Sequence, residues 1–149
     1  ILPGIDGRKM SKSYENTIPL FSEEDELRKI VMKIKTNSLE PGEAKDPSDS
    51  NIFDIYKAFS TQEKTQELSR LFQNGIAWGD AKEVLYEELS SFLKPFKAEY
   101  NKIIEDKSYV ETTLIEGSEK ALSVSEPIIE EVRQAIGIKG FWVRIIFYH

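Results

Sequence analysis

The sequence predicts an all-α fold, a bundle of about five to six helices. Apolar residues recur at helical spacing in successive segments after residue 22, and capping and turn residues separate these segments. No alternation of strand-like and helix-like runs is present that could build a parallel sheet. We therefore divide the chain into a loop and linker at 1–21, a helical domain at 22–137 and an apolar tail at 138–149.

The first two helices are predicted on either side of a loop. Ser22, followed by acidic residues, predicts a helix start, and this helix is expected to end around residues 35 and 36. Proline and glycine among small polar residues predict a loop at 37–48. Ser50 or Asp49 is then expected to cap a second helix. The apolar set of that second helix is Ile52, Phe53, Ile55, Tyr56 and Phe59.

A third helix is expected to begin at Ser60 or Thr61 and to end at Asn74-Gly75, where glycine suits a left-handed C-terminal cap. Its inward-facing residues are predicted to be Leu68, Leu71 and Phe72.

Two long segments complete the helical part. Asp80 is expected to cap a helix over 81–106, and a last helix is predicted over 109–136. Pro95 and Pro127 lie inside these segments and predict a kink or a break. The apolar sets are Val84, Leu85, Leu89, Phe92, Leu93, Phe96, Tyr100, Ile103 and Ile104, then Leu114, Ile115, Ala121, Leu122, Ile128, Ile129, Val132 and Ile136.

Composition excludes several classes of function. The chain has 149 residues with 40% apolar residues, enough for one domain with a real core. It has no cysteine and a single histidine, His149, which argues against a metal site and against histidine acid/base chemistry. A net charge of −6 argues against an indiscriminate nucleic-acid binder, so any RNA contact must be local. Positive charge is concentrated near the start, in Arg8, Lys9 and Lys12.

The tail from Phe141 to Tyr148 is nearly all β-branched or aromatic. It is too short to span a bilayer as a helix, so we expect no membrane insertion. Free exposure of such a segment would favour aggregation, and we therefore predict that it is buried or self-associates.

The segment whose residue types suggest a catalytic or ligand-binding role is Lys9-Met10-Ser11-Lys12-Ser13. Two lysines interleaved with two hydroxyl side chains, after Gly4 and Gly7, describe a mobile loop that can bring ammonium and hydroxyl groups to a polyphosphate. Taken alone, the same residues also fit an ordinary solvated basic turn.

The wider pattern resembles a known family. Lys9 to Ser13 is similar to the signature loop of class I aminoacyl-tRNA synthetases, and its frame from Leu2 to Ile18 resembles the tryptophanyl-tRNA synthetases. The resemblance continues from Asp46 to Phe59 and from Trp78 to Leu85, and it covers roughly residues 1–137. The tail at 138–149 has no counterpart in the family pattern.

The resemblance implies ATP-dependent activation of tryptophan, with Mg²⁺ carried by the nucleotide, followed by transfer to tRNA(Trp). Lys9 and Lys12 would be the catalytic residues on the polyphosphate, with Lys12 the stronger candidate, while Gly4 and Gly7 would act as the loop hinge. The residues implied to bind ATP are Lys9, Met10, Ser11, Lys12 and Ser13.

The resemblance also implies that residues 22–137 contact the tRNA anticodon, although no anticodon-reading residue can be named. It implies a cytoplasmic enzyme, homodimeric through a Rossmann-type catalytic domain that the chain lacks. The chain does not begin with methionine, and its one histidine cannot form a His-x-Gly-His signature. We therefore expect a truncated chain that is inactive alone, with a loose loop and with Lys9 and Lys12 in solvent.

Two alternatives remain. The chain could belong to a tyrosyl-type synthetase, or its helices could form a stable scaffold without measurable RNA affinity.

Overall fold

A computed structural model describes residues 1–138 and confirms the all-α class. Within this range the regular elements are two short 3₁₀-helices, Lys12–Tyr14 and Pro47–Asp49, one isolated bridge between Pro3 and Lys9, and five α-helices. The α-helices are α1 (Glu24–Met32), α2 (Asn51–Phe59), α3 (Gln62–Gln73), α4 (Trp78–Glu105) and α5 (Lys107–Ala135). All of the predicted tail beyond Ile138 lies outside the described residues.

Side-chain caps fix the starts of three helices. The hydroxyl oxygen of Ser50 accepts a hydrogen bond from the Phe53 amide at 3.3 Å, and that of Thr61 accepts one from the Lys64 amide at 3.4 Å. Asp106 accepts one from the Tyr109 amide at 2.9 Å. These bonds satisfy amides that a helix start leaves unpaired, and they confirm the predicted caps of α2 and α3.

Two predicted caps are wrong. α1 has Glu23 rather than Ser22 at its N-cap, without a side-chain cap, and it ends at Met32 instead of near residue 35. α4 begins at Trp78, so Asp80 lies inside its first turn. The positive end of the helix dipole still stabilises a carboxylate at that position. Acidic and hydroxyl residues are favourable both at the N-cap and in the first turn of a helix. Their presence in the sequence therefore does not show which of the two positions they occupy.

The two internal prolines do not break their helices. α4 continues through Pro95 and α5 continues through Pro127, so the predicted possibility of a break is wrong at both places. Regular helix on both sides of a proline shows that the rest of each helix outweighs the single missing amide donor.

The described part of the chain divides into two compact units, of which the first is residues 1–100 and the second begins at Asn101. The first unit holds the core. Residues 81, 85, 89 and 93 of α4 recur at helical spacing and are all buried, and they pack with buried residues of α1, α2 and α3. Phe72 of α3 is fully buried and contacts Trp78 edge to face at 5.6 Å between ring centroids. Leu71, predicted to face inward, is 38% exposed.

The described part of the second unit has no buried residue. The apolar set predicted for the last helix lies on α5, except for Ile136 at its C-cap, but its larger members are exposed, from 45% for Ile129 to 67% for Leu114. Helical spacing thus identifies the residues that share a face without showing that the face is covered. No helix within residues 1–138 combines the length and apolar character needed to cross a membrane.

Candidate phosphate-binding loop

The segment before the two lysines folds back on itself. The amide of Gly4 donates to the Arg8 carbonyl oxygen at 2.7 Å, and the amide of Gly7 donates to the Gly4 carbonyl oxygen at 3.0 Å. The Met10 amide then donates to the Leu2 carbonyl oxygen at 3.1 Å. These bonds close a tight turn whose two arms are antiparallel, and the turn presents Lys9 at the end of one arm.

Asn16 organises this turn from the inside. It is 1% exposed, and its side-chain oxygen accepts a hydrogen bond from the Ser11 amide at 2.8 Å. Its side-chain nitrogen donates to Asp6 Oδ1 at 2.7 Å and to the Lys9 carbonyl oxygen at 3.2 Å. A single buried amide thus ties both arms of the turn to one point. The main chain of residues 4–11 thus has several hydrogen-bond partners, whereas the looseness expected of the loop stays a prediction.

Asp6 is the charged partner of Asn16. The hydrogen bond from Asn16 is the largest of the interactions that lower the pKa of the Asp6 carboxyl from 3.8 to about 2, and bonds from Arg8 add to it. The Arg8 side-chain Nε donates to Asp6 Oδ2 at 2.6 Å, and the guanidinium lies 4.4 Å from the centroid of the Tyr14 ring. Arg8 is therefore already engaged within the turn.

Both glycines are required by the geometry, for different reasons. Gly7 has φ +85°, a conformation that residues with a side chain rarely adopt. Gly4 is in close contact, since a Cβ built there would lie 2.4 Å from Cγ of Asn16. Both glycines thus belong to the turn, whereas their predicted role as a loop hinge stays a prediction.

The two lysines differ from Arg8 in having no side-chain partner in the part of the chain that the structure describes. Lys9 and Lys12 are exposed, as predicted, and neither ammonium group forms a hydrogen bond or ion pair with residues 1–138. Ser11 and Ser13 share a hydrogen bond of 2.8 Å between their hydroxyl oxygens. A fixed main chain with two unpaired ammonium groups is suited to contact a polyanion, because the cations are available while the backbone is already ordered.

The turn is also attached to the helical part of the first unit. The Lys35 amide, just beyond α1, donates to the Ile5 carbonyl oxygen at 2.8 Å, and the Asn51 side chain donates to the Lys35 carbonyl oxygen at 3.4 Å. Leu2, Ile5 and Ile18 pack against the buried core. The loop and α1, α2 and α4 are therefore one packed structure.

Comparison with known proteins identifies the family. Residues 1–94, more than half of the chain, match the family model described as tRNA synthetases class I (W and Y). The chain belongs to this family. The turn around Asn16 and the exposed Lys9 and Lys12 lie inside the matched region.

Individual relatives of this class I synthetase chain are tryptophan–tRNA ligases. The one from Pseudomonas syringae pv. tomato is 44% identical over 140 residues, which are 94% of this chain and 31% of the relative. The one from Neisseria meningitidis is also 44% identical, over 93% of this chain and 41% of the relative. The chain thus spans between about a third and two fifths of these curated relatives.

A solved structure has the same fold. The crystal structure of tryptophanyl-tRNA synthetase from Campylobacter jejuni, complexed with ADP and tryptophan, superposes with a TM-score of 0.86 at 33% sequence identity. The match covers 92% of this chain and 43% of the Campylobacter chain.

Sequence reasoning on this synthetase chain missed two buried polar residues. Asn16 has no sequence signal beyond its place after the lysine pattern. Lys45 is 2% exposed, and its ammonium group donates to the carbonyl oxygens of Glu40 and Glu43 at 2.9 and 3.0 Å. That nitrogen also lies 5.4 Å from the centroid of the Trp78 ring. Both side chains satisfy main-chain groups of loops, which a pattern of residue types does not show.

Proposed function

We propose that this chain serves as the part of a tryptophan–tRNA ligase that binds the ATP phosphates. The observation that carries the proposal is a pair of exposed lysines, without a side-chain partner among residues 1–138, on a turn held by Asn16. Negative charge grows on the pyrophosphate as the tryptophan carboxylate displaces it from the α-phosphate. Lys9 and Lys12 would stabilise that charge in the transition state, with Lys12 making the larger contribution. ATP and its Mg²⁺, tryptophan and tRNA(Trp) are the corresponding substrates.

The neighbouring side chains have supporting roles in this proposal. The backbone at Met10 and the hydroxyl groups of Ser11 and Ser13 would hydrogen-bond the nucleotide or hold the loop. Gly4 and Gly7 would allow the loop to move as the site closes. The helices would contact the anticodon of the tRNA, in a cytoplasmic enzyme that is a homodimer. The family model covers both tryptophan and tyrosine enzymes. The relatives are named tryptophan–tRNA ligases, and this favours tryptophan as the amino acid.

The phosphate role can be tested in a chimera. The aligned segment of this chain would replace the matching 140 residues of the Pseudomonas syringae ligase. ATP–pyrophosphate exchange with tryptophan is then measured for Lys9→Ala and Lys12→Ala. We expect Lys12→Ala to lower kcat by about 100- to 1,000-fold, the typical effect of removing one donor to a transition-state charge. Lys57→Ala, which removes an exposed lysine of α2, is the control and should retain the parent rate. An unchanged rate in Lys12→Ala contradicts the assignment.

The chain by itself should show no ATP–pyrophosphate exchange above background, because it contains no His-x-Gly-His signature. Exchange by the isolated chain would refute this expectation.

RNA contact is tested separately with the isolated chain. We expect labelled tRNA(Trp) to bind, and to bind more weakly as salt rises, because cationic contacts to phosphates release counterions. Absence of binding at low salt would instead support a helical scaffold without RNA affinity.

A further inference from the structure

The first unit contains a small apolar cavity beneath the loop. Its volume is about 60 Å³, and it lies between the loop and two helices. The residues that matter for the argument are Met10 of the loop, Ile55 and Phe59 of α2, and Leu89 and Leu93 of α4. Its lining is almost entirely apolar, so a water molecule inside it would find few hydrogen-bond partners.

Met10 is the one residue of Lys9 to Ser13 that lines this cavity, and Leu2, Ile18 and Leu20 line it as well. It stands between Lys9 and Ser11 and is half-buried, whereas Lys9, Lys12 and Ser13 are exposed. Its amide is fixed by the bond to the Leu2 carbonyl oxygen at 3.1 Å, so the direction of the side chain follows from the turn. The methionine side chain is flexible and unbranched, which allows it to fill an irregular space and to adjust within it.

We propose that Met10 is a positioning residue that anchors the loop to α2 and α4. Asn16 holds the adjoining main chain by hydrogen bonds, and Met10 adds an apolar attachment on the helix side. The spare volume beside Met10 allows the loop to shift while Met10 stays in contact with α2 and α4, so that Lys9 and Lys12 can move toward a ligand without the loop detaching. The proposal rests on the proposed phosphate role of those lysines.

The anchor can be measured in the isolated chain by amide hydrogen exchange. Met10→Gln keeps the length of the side chain but places an amide in an apolar cavity, which carries a cost without a hydrogen-bond partner. We expect exchange at residues 10 and 11 to accelerate at least about tenfold, equivalent to about 1.4 kcal/mol. Exchange in α3, away from the cavity, should be unchanged. Met10→Leu keeps an apolar side chain and should retain the parent protection. Parent-like exchange in Met10→Gln overturns the proposal.

The consequence for catalysis is measured in the same chimera. Met10→Gln should lower kcat for ATP–pyrophosphate exchange by about 10- to 100-fold, as small misplacements of catalytic groups do, with the KM for tryptophan unchanged. Met10→Leu should restore most of kcat. If Lys12→Ala lowers the rate but Met10→Gln does not, positioning by Met10 is wrong and the phosphate role stands. If Lys12→Ala has no effect, the phosphate role itself fails.

Discussion

Asn16 shows how one side chain can determine the shape of a loop. Its amide group satisfies the Ser11 amide, the Lys9 carbonyl oxygen and the Asp6 carboxylate together, with distances of 2.7 to 3.2 Å. Asn16→Ala removes the bonds to the Ser11 amide and the Lys9 carbonyl oxygen and empties a buried position, while Asp6 keeps its bonds from Arg8. We expect a loss of about 1–3 kcal/mol in the free energy of unfolding, measured by urea titration.

The control for this variant is Asn101→Ala. Asn101 is exposed on α4, and none of its side-chain atoms has a partner within residues 1–138, so the substitution should leave stability unchanged or slightly higher. Equal stability of the two variants would contradict the role assigned to Asn16.

Asp6 makes the same cluster sensitive to acid. Its pKa in the folded chain is about 2, below the ordinary value of 3.8. The folded state therefore favours the ionised form of the Asp6 carboxyl more than the unfolded state does. The resulting stability is present above pH 3.8 and is lost as the pH falls toward 2. We expect the Asp6 carboxyl to titrate near pH 2 when followed by carbon NMR.

Asn16→Ala removes the largest cause of the Asp6 pKa shift and should move the Asp6 pKa back toward 3.8. Lys57→Ala, distant in sequence and without a bond to the cluster, should not. An Asp6 pKa that is the same in the parent and in Asn16→Ala would show that Asn16 does not control this carboxyl.

At the scale of elements, the loop before α2 and the turn after α3 are held together by two glycines. The Gly42 amide donates to the Gly75 carbonyl oxygen at 2.8 Å. Gly75 has φ +81°, and a Cβ there would lie 2.4 Å from the carbonyl carbon of Gly42. Gly75→Ala therefore meets both an unfavourable backbone conformation and a collision with main chain.

Gly42 provides a matched comparison for Gly75. Its φ is +89°, but nothing lies within 4 Å of a Cβ placed there. We expect Gly42→Ala to destabilise the chain by about 1–2 kcal/mol, the cost of a left-handed conformation. Gly75→Ala should be clearly worse, as measured by urea titration of both variants. Equal losses of stability would mean that the close approach of the two segments, at Gly42 and Gly75, adds nothing to the cost of Gly75→Ala.

Helix positions follow from the sequence more reliably than burial does. Ser50 and Thr61 identify the starts of α2 and α3, because a hydroxyl cap acts on amides only three residues away. Leu71 and Phe96 have suitable spacing but are 38% and 54% exposed, since burial needs a second element over that face. Asn16 escapes prediction for a related reason. A polar loop residue has the same sequence appearance whether it faces water or the interior.

At the scale of the whole chain, the contrast between the two units decides how each responds to mutation. Leu85 of α4 is fully buried in the core of the first unit, while Leu122 of α5 is 47% exposed. Both are leucines in the interior of long helices, so truncation to alanine removes the same atoms and improves helix propensity slightly in each case. Only their surroundings differ.

We expect Leu85→Ala to lower the free energy of unfolding by about 2–5 kcal/mol, because it loses buried apolar contacts and leaves a cavity. Leu122→Ala should change it by less than about 0.5 kcal/mol, the usual range for surface substitutions. Urea titration gives both values, and hydrogen exchange should show faster exchange across α5 than in the core-facing part of α4. A large loss in Leu122→Ala would mean that the apolar face of α5 is covered in solution, by the tail or by a second copy of the chain.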